Sequence, residues 1–167
     1  MTKNKVSIIQ KTLVFVFMGI LIATFYIARN NKIEKLKTNT LLMESQIEDV
    51  IINSLTFLYN EDLTTINEIP TIHPDYTETL VNKFSSVNST LKNVNMYLSN
   101  IKLSKNKIYN IRKNSIKYII YDGTINLKWI SNTNNIETDG ENKNIKAYII
   151  KKDDNYYIAN FDITNIN

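Results

Sequence analysis

Residues 145–163 read IKAYIIKKDDNYYIANFDI, and this stretch decides the fold. Two runs of apolar and aromatic residues, 145–150 and 156–163, flank the polar residues 152–155. Runs rich in Ile, Tyr and Phe that are bounded by turn-forming residues are typical of paired strands. The stretch therefore predicts a β-hairpin, and hence an antiparallel sheet in the C-terminal part of the chain.

A second hairpin is predicted upstream, around Asp122 and Gly123. A two-residue Asp-Gly loop favours a type I′ turn. The turn would pair residue 120 with 125, 118 with 127 and 116 with 129. All six side chains of these pairs would then lie on one face of the sheet: Ile116, Tyr118, Ile120, Ile125, Leu127 and Trp129. Residues 101–111 predict one further strand.

Helices are predicted before the strands. Apolar residues at positions 33, 36, 43, 47, 50 and 57 indicate a helix, which either packs on its own domain or forms a short coiled coil. We favour packing on its own domain. Asp75 and Glu78 form the Asp-x-x-Glu pattern of a capping box at the start of a second helix. The order of elements predicts an α+β fold, with amphipathic helices packed on a four- or five-stranded antiparallel sheet.

Residues 12–28, TLVFVFMGILIATFYIA, form an uncharged run between Lys11 and Arg29. Seventeen helical residues extend about 26 Å, close to a hydrocarbon core of about 30 Å. This run predicts an uncleaved transmembrane helix in contact with the lipid bilayer.

The predicted span divides the chain into four parts. Basic residues flank the span on both sides in similar number, and a short N-terminal tail favours a C-terminal domain outside the cytoplasm. The prediction is a single-pass protein of the cell membrane. Its parts are a basic cytoplasmic tail (1–11), a transmembrane helix (12–28), a juxtamembrane helix (29–42) and an extracytoplasmic α+β domain (43–167).

Composition excludes several classes of function. The chain has no cysteine, which removes disulfides, thiolate catalysis and cysteine-ligated metals. All 16 acidic residues follow the predicted span, together with 17 of the 20 basic residues, so the net charge after the span is only +1. A basic stretch at 102–113 is interpreted as a solvated strand face, and no nucleic-acid partner is predicted.

No catalytic constellation is found in the sequence. His73 is the only histidine and has no partner at a metal-ligand spacing, and the three glycines form no phosphate-binding loop. Glu137, Asp139 and Glu141 alternate in a loop but lack the spacing of a calcium site. Asn88 begins an Asn-Ser-Thr glycosylation pattern that is expected by chance in an Asn-rich chain. The prediction is no enzyme, with no catalytic, cofactor-binding or metal-binding residues and no cofactor.

The order of elements that ends with residues 145–163 resembles the nuclear-transport-factor-2-like fold, in which helices precede a curved antiparallel sheet. In bacteria that fold occurs in inner-membrane assembly factors of type IV secretion and conjugation systems. That fold hosts enzymes and binding modules alike, so function does not follow from the resemblance alone. Because the sequence offers no catalytic residues, the prediction is a non-enzymatic assembly or interaction subunit of a bacterial envelope complex of the secretion or conjugation type. Its expected partners are other subunits of the complex or further copies of itself.

Two alternatives remain open. One is a ligand-binding or sensory ectodomain with an apolar pocket formed by Tyr118, Trp129 and Tyr148. The other is a minor pilin or pseudopilin, which the chain resembles in having an apolar first helix before a sheet, although it lacks the Gly-Phe-Thr-Leu-x-Glu processing site. A deep, dry pocket would favour ligand binding, whereas an exposed apolar patch or an unpaired edge strand would favour the interaction subunit.

Overall fold

The structure, a computed structural model, describes the backbone of residues 3–166 and the side chains of residues 16–166. The chain divides into two compact units, Met1–Glu44 and Ser45–Asn167. Residues 3–166 form two α-helices, two short 3-10 helices and four strands. In chain order they are α1 (Lys3–Asn60), the 3-10 helices Leu63–Glu68 and Pro74–Tyr76, α2 (Thr77–Asn93), β1 (Met96–Lys113), β2 (Ile116–Ser131), β3 (Glu141–Lys152) and β4 (Asn155–Asn165).

The prediction of a transmembrane helix at 12–28, and with it of a single-pass membrane protein, is wrong for the described residues. No helix among them is long and apolar enough to cross a membrane. The uncharged run of α1 with described side chains extends from Val16 to Ala28, about 20 Å of helix. A hydrocarbon core is about 30 Å thick. The side chains of residues 12–15 of the predicted span, and those of the predicted tail, lie outside the described side chains.

The α+β prediction is confirmed, since the four strands form one antiparallel sheet in the order β1-β2-β3-β4. The predicted turn between β3 and β4 is also found. It lies at Asp153 and Asp154, whose φ angles of 49° and 62° are those of a type I′ turn. Aspartate tolerates this left-handed conformation better than most residues, because its short side chain can bond the local backbone.

The predicted hairpin around Asp122 and Gly123 is wrong. Strand β2 runs straight through both residues, and the turn lies instead at Asn114 and Ser115, with φ angles of 49° and 65°. Gly123 serves a different purpose, because a Cβ atom there would overlap the carbonyl oxygen of Ser104 on β1. Glycine is required here by the close approach of two backbones.

Aromatic rings connect the helices to the sheet within the unit 45–167. Tyr59 of α1 makes edge-to-face contacts with Trp129 of β2 and Phe84 of α2, with centroid distances of 5.1 and 5.3 Å. Phe84 in turn contacts Phe161 of β4 at 6.2 Å. The core around these rings is apolar and fully buried, and it includes Ile47, Ile51, Leu55, Leu58, Leu80, Ile125, Leu127, Ile145 and Ile149.

The C-terminal end of α1 is closed by a buried side chain from α2. Asn88 is 4% exposed, and its Nδ2 donates to the carbonyl oxygens of Leu58, Tyr59 and Glu61 at 3.2, 3.0 and 3.1 Å. The last carbonyls of a helix have no partner within the helix, so a donor from elsewhere stabilises them. Asn88 is therefore a structural residue, and its burial is incompatible with glycosylation.

The start of α2 differs from the predicted capping box. Asp75 does not cap the helix: its backbone N–H donates to Nδ1 of His73 at 3.3 Å, within the 3-10 turn that precedes α2. At the other end α2 ends at Asn93. Leu98 continues the three- and four-residue spacing of the apolar residues in α2, but it belongs to β1. Asn60 bonds both backbone groups of Leu98, at 2.7 and 2.9 Å, and so fixes the beginning of β1 to α1.

Replacing Tyr121 by phenylalanine is expected to stabilise the protein. The tyrosine side chain is fully buried, its hydroxyl has no hydrogen-bond partner among the described residues, and burial raises its pKa. An unsatisfied buried hydroxyl costs about 1–3 kcal/mol, so Tyr121→Phe is expected to raise the free energy of unfolding by about 1 kcal/mol in urea denaturation. The control is Tyr148→Phe, which removes a bonded hydroxyl and should not stabilise. A less stable Tyr121→Phe protein would contradict the prediction.

Candidate functional site

The sheet face opposite the side chains of Trp129 and Phe161 carries a row of alternating charges. The strand register aligns Lys107, Asp122, Lys146 and Asp162 across β1, β2, β3 and β4. Asp122 Oδ2 lies 3.9 Å from the ammonium groups of both Lys107 and Lys146. Lys83 of α2 ends the row, with its Nζ 2.9 Å from Asp162 Oδ1. Adjacent opposite charges stabilise the pairing of these strands.

Asp162 is the most elaborately bonded member of this row. It accepts hydrogen bonds from Lys83 Nζ at 2.9 Å and from the Tyr148 hydroxyl at 3.0 Å. Burial alone would raise the pKa of Asp162, but the bonds from Lys83 and Tyr148 outweigh it and hold that pKa below its usual value. The bond to Asp162 raises the pKa of Tyr148, followed by burial. At neutral pH, therefore, Asp162 is an ionised acceptor and Tyr148 a neutral donor.

An aromatic cluster adjoins the charged row. The rings of Tyr118 and Tyr148 meet edge to face at 6.3 Å, and the hydroxyls of Tyr118 and Tyr76 lie 2.7 Å apart. Burial, with the bond to Tyr118, raises the pKa of Tyr76 to about 12. Of the three predicted pocket residues, Tyr118 and Tyr148 are in contact. Trp129 is not, because it lies in the core on the other face of the sheet, against Tyr59.

Two adjoining clefts lie over this face. One, of about 690 Å³, is lined mainly by charged and polar residues and includes Lys83 and Asp122. The other, of about 470 Å³, is lined by Tyr76 and Tyr118 among others. Both include Tyr148 and Asp162. The pair can take a small ligand with one polar and one apolar end, but it is not the deep, dry pocket expected of an apolar ligand site.

The isolated titratable residues noted in the sequence have structural neighbours. The ring of His73 packs edge to face on Tyr76 and Tyr157, at 5.6 and 5.8 Å. Glu137 accepts hydrogen bonds from Lys128 and Ser99, and these bonds lower its pKa. Across the part of the chain that the structure describes, no group of three His, Cys, Asp or Glu residues is placed to hold a metal ion.

Among the described side chains, helix α1 carries the largest set of exposed apolar ones. Between residues 16 and 27, nine large apolar residues have exposed fractions from 54% at Met18 to 72% at Phe25. Because several are consecutive in a helix, they cover its whole circumference. The members of this apolar segment are Val16, Phe17, Met18, Ile20, Leu21, Ile22, Phe25, Tyr26 and Ile27.

A second exposed feature is the outer side of β1. The strand is 18 residues long and stands at one end of the strand order, next to β2. Sequence reasoning found a strand at 101–111 but did not place it at the edge of the sheet. Edge position depends on long-range pairing, and no local pattern at 101–111 encodes it.

Comparisons with known proteins give the fold only. No protein-family profile matches the chain, and no curated protein matches it. A solved structure of a protein from Catenulispora acidiphila is similar, with a TM-score of 0.50 and 9% sequence identity. The similarity covers 75% of this chain and 92% of that chain. At this identity the match supports a shared arrangement of elements and carries no activity.

Proposed function

We propose that this protein is a non-enzymatic assembly subunit. In this proposal the apolar segment of α1 associates with the same segment of further copies, and the folded unit 45–167 contacts other components of a bacterial envelope complex. The observation that carries the proposal is the exposure of apolar side chains around the whole of α1 between residues 16 and 27. Soluble proteins rarely leave so large an apolar surface in water.

Self-association suits this segment because of its symmetry. A helix that is apolar all round has no single docking face and requires apolar neighbours on several sides. Identical helices supply such neighbours, and they match one another in length and apolarity. The nine large apolar side chains between residues 16 and 27 are each more than half exposed, so they are available for contacts between chains.

The role in an envelope complex rests on the resemblance of residues 145–163 and the preceding elements to assembly factors of secretion and conjugation systems. The α+β fold is compatible with that resemblance. A fold of this kind also occurs in enzymes, so the assembly role depends on the exposed surfaces rather than on the fold.

Sedimentation of the full chain tests the self-association. The 19.4-kDa protein is expected to sediment as an oligomer, and Leu21→Glu combined with Phe25→Glu is expected to release monomers, because burying unpaired carboxylates is costly. A matched control places two glutamates at exposed apolar positions of the folded unit, Val87→Glu with Ile136→Glu, and should leave the oligomer intact. A monomeric unsubstituted chain would contradict the proposal.

A cross-linking experiment tests the second part. A photoreactive residue replaces Ile136 on the folded unit, where the side chain is 61% exposed. Cross-linking is carried out in bacterial cells, and the cross-linked proteins are identified by mass spectrometry. Subunits of an envelope machine are expected among them. Cross-links that join only copies of this chain would rule out the role of the folded unit in binding other components.

A further inference from the structure

Strand β1 differs from the other edge of the sheet in what covers it. The edge at β4 is partly covered by residues 71–73, since His73 N–H donates to the Ile158 carbonyl at 2.9 Å and Ile158 N–H donates to the Thr71 carbonyl at 2.8 Å. Lys83 adds a hydrogen bond to the Phe161 carbonyl. Strand β1 pairs only with β2 among the described strands.

The open edge of β1 is long. Eighteen residues at about 3.4 Å each extend about 60 Å, whereas strands usually have about 5–6 residues. Asn60 bonds the edge at Leu98 only. The register shifts beyond Leu98 and again between Lys105 and Lys107, so the edge divides into segments of 100–105 and 107–113. Each segment is long enough to pair with a short strand.

The charge of β1 has a single sign. The strand carries five basic residues and no acidic one: Lys102, Lys105, Lys107, Arg112 and Lys113. Lysines on an edge strand hinder pairing with a like strand, and directly opposed like charges are destabilising. A second copy of β1 would bring the same charges into contact. The basic residues therefore disfavour self-pairing at this edge and favour a partner strand that carries acidic residues.

Apolar side chains alternate with these charges. Ile101, Leu103 and Ile108 on β1 pair with Leu127, Ile125 and Tyr121 and so share one face of the sheet, and each is only partly buried. When a peptide adds to the edge of a sheet, its backbone hydrogen bonds supply affinity and its alternate side chains supply specificity. A partner strand with apolar residues at alternate positions would add to the burial of these three side chains, while its acidic residues, on the opposite face, would meet Lys102 and Lys107.

We propose that the outer edge of β1, residues 100–113, binds an extended segment of a partner protein with alternating apolar and acidic residues by strand addition. This inference goes beyond the proposed self-association, because it concerns a different surface and a different partner. Its test does not depend on the oligomeric state of α1, so either proposal can fail without the other.

The test uses the full chain and three synthetic decapeptides. The first alternates valine and glutamate, the second replaces glutamate by lysine, and the third is the acidic peptide with alternate backbone nitrogens methylated. Fluorescence anisotropy is expected to show at least tenfold weaker binding of both the lysine and the methylated peptides. Hydrogen exchange is expected to slow within residues 100–113 when the acidic peptide binds. If the methylated peptide bound as tightly as the unmethylated acidic peptide, backbone hydrogen bonds would not contribute to binding. The interaction would then be charge attraction alone, and strand addition would be overturned.

Charge reversal on β1 provides the second arm. Lys102→Glu combined with Lys107→Glu is expected to weaken binding of the acidic peptide at least tenfold and to strengthen binding of the lysine peptide. Arg112→Glu with Lys113→Glu should act in the same direction without disturbing the ion pair between Lys107 and Asp122. The control is Lys152→Glu with Lys151→Glu at the far hairpin, which changes the net charge equally and should leave binding unchanged. No binding of the acidic peptide, or equal losses in the control, would overturn the proposal.

Discussion

Replacing Asn88 by aspartate is expected to lower the free energy of unfolding by roughly 3–5 kcal/mol, the cost of an uncompensated buried charge. The Nδ2 group of Asn88 donates to three carbonyl oxygens at the end of α1. A carboxylate there would lose these donors and face the oxygens with a negative charge. The C-terminal end of a helix also carries a partial negative charge, which adds to the repulsion.

This destabilisation has a defined pH dependence. The carboxyl of Asn88→Asp is protonated more readily in the folded protein than in the unfolded chain, since its charged form is disfavoured by burial and by the neighbouring carbonyls. The folded pKa is raised, so the variant loses stability as the pH rises and recovers part of it as the pH falls through that raised pKa. Urea denaturation at several pH values measures this directly.

Two further variants separate the charge from the lost hydrogen bonds. Asn88→Ala removes the donors without adding charge and should lower the free energy of unfolding by about 1–3 kcal/mol. Since it adds no titratable group, this loss should not vary with pH in the acidic range. Asn82→Asp makes the same chemical change at an exposed position of α2 and should be nearly neutral. Equal destabilisation by Asn88→Asp and Asn88→Ala would show that the carbonyl cluster does not repel the charge.

The role of Asn88 also shows where sequence reasoning ends. Periodicity found the helical residues on both sides of it, and the Asn-Ser-Thr pattern was the only local signal at the position itself. The residue caps a helix that ends about 28 positions earlier. Such a contact depends on how α1 and α2 pack, and a single sequence contains no local pattern for it.

The two hairpins show why one local signal succeeded and a similar one failed. Asp153 and Asp154 lie between two runs of strand-forming residues, so the turn signal and the strand pattern agree. Asp122 and Gly123 also lie between such runs, but both residues pair with β1 on one side, across a register shift between Lys105 and Lys107, and with β3 on the other. A turn at Asp122 would forfeit pairing on both sides. Long-range pairing therefore outweighs the local preference.

The wrong turn at Asp122 and Gly123 also explains why only some of the predicted pocket residues lie together. Successive strand residues point to opposite faces, so residues an odd number apart, such as Tyr118 and Trp129, are separated in a continuous strand. In the predicted hairpin they would have shared a face. Tyr118 and Tyr148 do lie together, on β2 and β3, and the contact with Tyr76 was not predicted.

Substituting Gly123 by alanine is expected to lower the free energy of unfolding by about 3 kcal/mol, near the upper end of the usual cost of overpacking. A Cβ atom at this position would overlap the Ser104 carbonyl oxygen and lie 3.2 Å from the Lys105 Cα atom and 3.1 Å from the Tyr121 ring. The first two neighbours are backbone atoms of β1, so relief requires the two strands to separate. Urea denaturation of Gly123→Ala measures the loss.

The other two glycines give graded controls for this argument. At Gly140 a Cβ would meet the side chain of Asn126, which can rotate away, so Gly140→Ala should cost less than Gly123→Ala. At Gly19 nothing lies within 4 Å, so Gly19→Ala should stabilise its helix by about 0.5–1 kcal/mol. If Gly123→Ala were as well tolerated as Gly140→Ala, the backbones of β1 and β2 could not be in close contact there. Gly123 faces the register shift of β1 between Lys105 and Lys107, and glycine inside a strand commonly marks such a bulge or a close approach of two backbones.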